Sequence, residues 1–544
     1  MPAAAERDDR RTVVIAAPPT TNGDLHVGHL AGPYVGADVH VRYLRSVGRD
    51  AVLTSCSDDY QTFVVTTAAR RGTTPQALVT ESAAAIQETF ATMGVDLDGF
   101  APTDEGYRAR LYDHVGRLHQ AGEFELRTVV LPYSESRGEY LVEGYVGGDC
   151  PTCLADSRGG ACEACGHPID FGRLLEPYSI MDPSDPVTWR DAEILVFPLE
   201  KYRDRLAAYY ADRPTSWRPH AMTLMREILS HPLPDYPVTY PISYGWPAPF
   251  PETPGQTLNA WLDGIPASMY CTAWADRQLG AEPPSDDDAW RAERDARLVC
   301  FMGYDPLFVW GIVHVAELMA HGDRYGLWDT LLVNEFYELE NEKFSSSKGH
   351  LIWARDLVAE VPRDVVRFYL CLSAPEHART NFGRAVLDKV ADERLVTPWN
   401  ELCSALAKLD VEVGETGPLP VSASARAQAA AVVARFSACY ELDTFSLFRA
   451  ADLIAVNVER LRHRALAALA AAPDERRARL GDLFLVLRAL LAAAAPVLID
   501  LADAARQAGA ADGLAPGAFE VAETTAFAVP RLSLHATPTD PTSA

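Results

Sequence analysis

Four of the ten cysteines fall in two short pairs, Cys150-Pro-Thr-Cys153 and Cys162-Glu-Ala-Cys165, with eight residues between the pairs. Two facing Cys-x-x-Cys pairs can supply the four thiolates of a tetrahedral zinc site. Gly148, Gly159, Gly160 and Gly166 flank them, as tight knuckle turns require. With four protein ligands the metal has no open position, so such a zinc holds a fold and does no chemistry. A redox pair is the competing use of this spacing. The other six cysteines (Cys56, Cys271, Cys300, Cys371, Cys403, Cys439) lie in apolar surroundings and read as small core residues.

A second constellation points to phosphate chemistry. The loop from Pro19 reads PTTNGDLHVGH, ending on His26 and His29. Histidines three apart at the start of a helix share one face. The helix N-terminus adds N–H groups and a partial positive charge, an arrangement suited to an ATP undergoing in-line displacement. Gly28 removes a side chain between them, which lets a flat ring lie against the backbone. Alone, His-x-x-His is a common surface pattern. The stretch NEKFSSSKGH from Asn341 adds weight, because it carries Lys343 and Lys348, two of only five lysines in the chain. Ammonium groups on a mobile polar loop are good point charges for phosphate. A solvated surface loop is the plain alternative.

The elements that must hold these residues follow from hydrophobic patterning. Residues 12–17 (TVVIAA) read as a buried strand, about 27–47 as a helix and 50–55 as a second strand. That is a βαβ unit opening a parallel sheet. The expected fold class is α/β, a Rossmann-type parallel-sheet catalytic domain with an inserted zinc-knuckle domain and a C-terminal helical bundle. Residues 1–120 and 241–385 form the two halves of the catalytic domain. Residues 121–240, with short alternating strands, many prolines and the cysteines, form the insertion. Residues 386–522 are Ala/Leu/Arg-rich with helical spacing, and 523–544 read as a flexible tail.

Composition bounds the function. The chain has 544 residues, 48% hydrophobic and 23% charged, with a formal net charge of −26. That balance disfavours a general nucleic-acid or anionic-membrane coat while leaving room for a local basic site. No apolar run reaches the roughly 18–20 residues of a membrane span. The N-terminus is charged and runs into a strand, so the expected location is the cytoplasm.

Together these residues resemble the class I aminoacyl-tRNA synthetases, specifically the methionyl-tRNA synthetase family. His26-Val27-Gly28-His29 is similar to its HIGH motif and Lys343-Phe344-Ser345-Ser346-Ser347 to its KMSKS loop. Asn22-Gly23 matches the residues before HIGH, and Cys56-Ser57-Asp58-Asp59 the acidic segment after the second strand. Trp261-Leu262-Asp263 matches the WLD segment, Gly303-Tyr304-Asp305 the GKD segment, and the four cysteines the zinc knuckle. The resemblance covers residues 12–385 and continues more faintly through the bundle. It implies an enzyme that joins an amino acid to ATP, giving an aminoacyl-adenylate and pyrophosphate, with Mg²⁺ accompanying the ATP. His26 and His29 would stabilise charge at the α-phosphate, and Lys343, helped by Lys348, charge toward the β- and γ-phosphates. Asn22, Gly23, Gly28, Gly303, Asp305 and Ser345 would contact the nucleotide. Asp59 would hold the substrate ammonium, in a pocket with Thr20, Gln61, Trp261, Asp263, Gly264, Ser268 and Trp310.

The pattern breaks in three places. Thr20 and Ser268 stand where the family has tyrosines, Gly264-Ile265 where it has Ala-Pro, and Trp310 and Gln61 where it has histidines. A thioether site needs shape and apolar contact, so these changes point away from methionine. The second lysine of KMSKS is Ser346. In the bundle, Leu395 to Asn400 contains a helix-interrupting Pro398, and the anticodon-stacking tryptophan falls near Leu466. Arg460, Arg462 and Arg464 remain as a possible RNA-backbone contact. The favoured expectation is a diverged, monomeric ligase. It would pass a non-methionine amino acid to a small acceptor, such as an N-hydroxylated amine in hydrazine or other natural-product biosynthesis, with a separate cupin as partner. The alternatives are an enzyme charging tRNA, and a non-catalytic tRNA-binding protein.

Overall fold

The computed structural model describes residues 10–211, 213, 217–344, 349–414, 417–510, 514 and 517–536. The chain forms two compact units, each assembled from three separate stretches. The first comprises Met1–Asp24, Val52–Glu88 and Leu97–Asn334; the second comprises Leu25–Ala51, Thr89–Asp96 and Glu335–Ala544. These units cut across the expected boundaries. Leu25–Ala51 and residues 335–385, expected in the catalytic domain, cluster with the helical bundle.

The first unit is built on a five-stranded sheet. Its strands are β1 (Thr12–Ala16), β2 (Ala51–Cys56), β3 (Gly99–Ala101), β4 (Arg297–Met302) and β5 (Thr330–Val333), in the order β5-β4-β1-β2-β3. β1 pairs with β4, β4 with β5 and β2 with β3, all parallel. The strands are near-continuous apolar runs because both faces of a parallel sheet are covered; every residue of β1 and β2 is buried. The helix Gly264–Gln278 lies directly on β3, where a Cβ on Gly99 would come within 2.9 Å of Ala275. The insertion in this unit carries a long antiparallel pair, Glu125–Ser134 with Val187–Pro198. It also carries a small sheet of Val146–Asp149, Asp156–Arg158 and Leu175–Ser179, from which the cysteine loops hang.

The second unit is largely helical. Arg367 and Asp38 are fully buried in it and face each other at 2.6 Å, and Arg367 also donates to the carbonyls of Met93, Pro496 and Val497. Around them run the helices Val35–Ser46, Arg363–Leu372, Ala423–Tyr440, Leu447–Leu469 and Pro473–Ala494. Pro398 does not end its helix. The five residues Asp392–Val396 widen into a π turn just ahead of Pro398, and the helix continues from Thr397 to Val413. The segment after residue 522, which the sequence reads as a loose tail, is tied down as far as Ala536. Glu523–Thr524 pairs with Leu419–Pro420, Trp399 Nε1 donates to Pro530 O, and Asn400 exchanges two hydrogen bonds with Leu532. Among the described residues no helix is long and apolar enough to cross a membrane.

Candidate active site

In the second unit the two histidines form a self-locked pair. His26 is the N-cap of the helical run that starts at Val27; its Nδ1 accepts the Gly28 N–H at 3.1 Å, while His29 Nδ1 accepts the His26 N–H at 3.3 Å. An accepting Nδ1 in a neutral ring puts the proton on Nε2, so each imidazole carries an Nε2–H. The rings stack 3.7 Å apart, and Phe344 stacks on His26 at 4.5 Å. Burial, followed by repulsion from His29 and Lys343, holds His26 well below the ordinary histidine range. It is therefore a neutral donor at physiological pH. Gly28 has a different use from the one expected. A Cβ there would sit 3.0 Å from both the His26 ring and Phe344, so the space it opens is taken by those rings.

The lysine loop meets this helix start at both of its ends. Lys343 closes the short strand Glu342–Lys343 just before Phe344, and beyond the loop the Val27 N–H donates to Ile352 O and the Ala354 N–H to Leu25 O. His26, Gly28, His29 and Lys343 are thus brought together. Ser345 and Lys348 lie outside the described residues.

In the first unit the other expected residues gather at the carboxyl ends of the sheet strands. The loops after β1 and β4 leave adjacent strands from which the sheet order runs in opposite directions, the place where open α/β sheets bind ligands. Thr20, Asn22 and Gly23 follow β1, Asp58, Asp59 and Gln61 follow β2, and Gly303 and Asp305 follow β4. Thr20 and Asp58 form a parallel bridge, and Thr20 Oγ1 donates to Asp58 Oδ2 at 3.2 Å. The Asp59 carboxylate is fixed by the hydroxyls of Thr21 (2.9 Å) and Thr103, and its carbonyl by Tyr244 (2.7 Å). Burial and then the repulsion of Asp263 and Asp59 raise the Asp58 carboxyl well above the usual range.

Trp261-Leu262-Asp263 makes the turn that opens the helix Gly264–Gln278. Tyr107 donates to Asp263 Oδ2 at 2.7 Å, and burial pushes that carboxyl up to about 7 against this hydrogen bond. Trp261 Nε1 donates to buried Glu143 at 3.3 Å. Ser268 turns its hydroxyl onto the Gly264 carbonyl at 2.6 Å, so it presents no hydroxyl of its own. Trp310 is buried against His314 and Trp328. Gln61 is the N-cap of the helix Thr62–Arg71 and is buried.

The cysteines form one cluster, with all four sulfurs within 4.8 Å of one another. Cys150 and Cys165 stand 3.9 Å apart, Cys153 and Cys162 3.6 Å. A zinc with Zn–S bonds of about 2.3 Å sets tetrahedral S···S edges of about 3.8 Å, so the donor set fits. Gly166, just after the second pair, takes φ +76°. The corresponding residue of the first pair, Leu154, takes φ +65° with a side chain attached.

Residues 12–405 match the profile of the tRNA synthetases class I (M). The chain belongs to the class I aminoacyl-tRNA synthetases of methionyl type. With that family come ATP-dependent ligase chemistry and an aminoacyl-adenylate intermediate. The methionine–tRNA ligase of Porphyromonas gingivalis is 30% identical over 471 residues, 85% of this chain and 68% of that protein. A methionine–tRNA ligase from a Roseiflexus species is 32% identical over 407 residues, 73% of this chain and 68% of that one. The structure of Mycobacterium tuberculosis methionyl-tRNA synthetase in complex with methionyl-adenylate shares the fold, with a TM-score of 0.75 over 96% of this chain and 99% of that one at 19% identity.

Around the synthetase motifs stand residues that sequence reading passed over. Thr21, Thr103, Tyr107, Tyr244, Glu143, His314 and Glu317 all bond to or neighbour the expected ones. Thr21 lies inside the quoted loop and could have been taken with it. The others sit far along the chain with no spacing rule to link them. In the bundle, two of the three arginines named as a possible RNA contact are engaged within the protein: Arg462 bridges Glu459 and Glu401, and Arg464 donates to Gln428.

Proposed function

We propose that this synthetase activates an amino acid with ATP, releases pyrophosphate and transfers the aminoacyl group to tRNA, the reaction named for its methionine–tRNA ligase relatives. The observation that carries the activation step is the capped, stacked His26–His29 pair beside Lys343. Two preset Nε2–H donors and an ammonium group suit the charge that develops as the amino-acid carboxylate displaces pyrophosphate. Asp59, oriented by Thr21 and Thr103, accepts the α-ammonium. Gly303 and Asp305, with Asn22 and Gly23, hold the nucleotide, and Mg²⁺ travels with it. Cys150, Cys153, Cys162 and Cys165 hold a structural zinc.

A second reading keeps activation and changes both other substrates, to a non-methionine amino acid and a small acceptor such as an N-hydroxylated amine, with a cupin partner downstream. Two observations favour it. Asn400 and Trp399, at the expected anticodon-reading position, are hydrogen-bonded by residues 530–532 of the chain itself. Buried Trp310, His314 and Glu317 also gather beside Trp261, a more polar set than a thioether side chain calls for. ATP–pyrophosphate exchange over the twenty amino acids, followed by transfer to tRNA, separates the readings. Exchange plus tRNA-dependent product supports charging, and exchange without tRNA product supports the small acceptor. Absence of exchange under all conditions overturns both.

A further inference from the structure

The first unit contains a buried acid that neither reading uses. Glu317, on the helix His314–Ala320, is 0% exposed, and neither carboxylate oxygen has a hydrogen-bond partner among the described residues. His314 Nε2 stands 3.8 Å from it and 2.8 Å from the Trp261 carbonyl. That carbonyl only accepts, so Nε2 carries the proton and Nδ1 is left as an acceptor. Nδ1, too, is buried without a partner. Burial by itself holds the Glu317 carboxyl protonated, so the atoms left without partners are one carboxyl O–H, one carboxyl oxygen and an imidazole acceptor nitrogen. Buried polar atoms left this way are costly unless something supplies them with partners.

The pair belongs to the amino-acid segment. A Cβ on Gly264 would lie 2.2 Å from His314 Cε1, so the missing side chain after Trp261-Leu262-Asp263 is what lets the imidazole stand there. Trp310 packs on the same ring at 4.8 Å. Asp263 is within Coulombic reach of Glu317, Asp58 and Asp59, and the largest influences on Asp58 and Glu317 are burial and other acids. Among the described residues, acids and acceptors thus gather around Glu317.

We infer that Glu317, with Asp263 and His314 Nδ1, is the side-chain subsite of the amino-acid pocket, and that it selects an amino acid whose side chain ends in a cationic nitrogen. The substrate's second ammonium or guanidinium meets Glu317 while its α-ammonium meets Asp59, and the face of Trp310 provides a cation–π wall. This rests on the amino-acid-activating reading, whichever acceptor follows.

The test is ATP–pyrophosphate exchange with the twenty amino acids plus ornithine and 2,4-diaminobutyrate, on the full chain and on Glu317→Gln. Thermal stabilisation of the wild-type chain by lysine, arginine, ornithine and methionine is recorded alongside and requires no variant to fold. The expected result is exchange and stabilisation with a basic amino acid, and a KM for it raised roughly 30-fold or more in Glu317→Gln with kcat nearly kept. Exchange confined to methionine or other apolar amino acids overturns the inference and leaves adenylation standing. So does a Glu317→Gln enzyme with an unchanged KM for its basic substrate. A folded wild-type chain that exchanges with no amino acid overturns the adenylation reading, and the inference with it.

Discussion

Glu143 offers a measurable consequence of burying an acid beside Trp261. It is 5% exposed, takes a left-handed φ of 51° and accepts the Trp261 indole N–H. Gly160 presses against it so closely that a Cβ there would lie 2.7 Å from Glu143 Oε1. Burial pushes the carboxyl from 4.5 up to about 7, although Trp261 and the Gly160 backbone pull it down. A carboxyl raised this far costs the folded state about 3 kcal/mol at neutral pH. The sign follows from linkage. Below pH 4.5 the group is protonated in both states and nothing is lost. Between 4.5 and about 7 the unfolded chain ionises first and stability drains away. Above 7 the loss is complete. Glu143→Gln keeps the shape and the acceptor for Trp261 but carries no charge. Its stability should equal that of the wild type near pH 4.5 and exceed it by about 3 kcal/mol at pH 8. For a unit of roughly 300 residues that is about 5 °C in Tm. Thermal unfolding of both proteins at pH 4.5, 6 and 8 reads the gap directly. A gap that stays constant with pH, or a wild type that gains on the variant as pH rises, refutes the reasoning.

Three further outcomes are expected. His26→Ala should lower the pyrophosphate-exchange rate roughly 10²–10³-fold with little effect on the KM for the amino acid, as measured under saturating ATP. Metal analysis of the purified chain should find one zinc per molecule; Cys162→Ser should lose it and lower the unfolding temperature of the insertion without abolishing the helical signal of the bundle. Arg367→Met should destabilise the second unit by about 3 kcal/mol, because Asp38 loses its fully buried partner and keeps only Arg42 and the Asp96 N–H, while the Met93, Pro496 and Val497 carbonyls lose their donor; denaturant unfolding followed by helical circular dichroism would register the change.

Much of the site could be read from the sequence where short-range spacing carries the chemistry. His26 and His29 stack as a pair because both lie at one helix start, and the cysteine pairs converge because each is a tight loop. The parallel strands announced themselves as apolar runs. What stayed hidden depends on which side of a helix the fold buries and on contacts between segments distant in the chain. Glu317 looks like an ordinary helix carboxylate until the fold buries it beside His314, and Gly264 looks like a loss of side chain until that imidazole fills the gap. Ser268 misled in the opposite direction. It stands where the family has a tyrosine, and its hydroxyl bonds its own helix backbone. The segment near Pro530 has tail-like composition, but Trp399 and Asn400 supply its missing partners.

The interleaving of the two units also governs when this protein can fold. β1 is made first, but its neighbour β4 begins at Arg297, about 280 residues later. At 5–20 residues per second, the first strand waits roughly 15–60 s on the ribosome for one of the two partners that flank it. The same delay applies to Leu25–Ala51, whose unit resumes in bulk only at Glu335. Neither unit can close as an early, independent domain. Nascent chains will expose the apolar strand TVVIA and the helix after it for most of synthesis, which makes the protein a natural client of chaperones that shield extended apolar segments. Slower translation would lengthen that exposure.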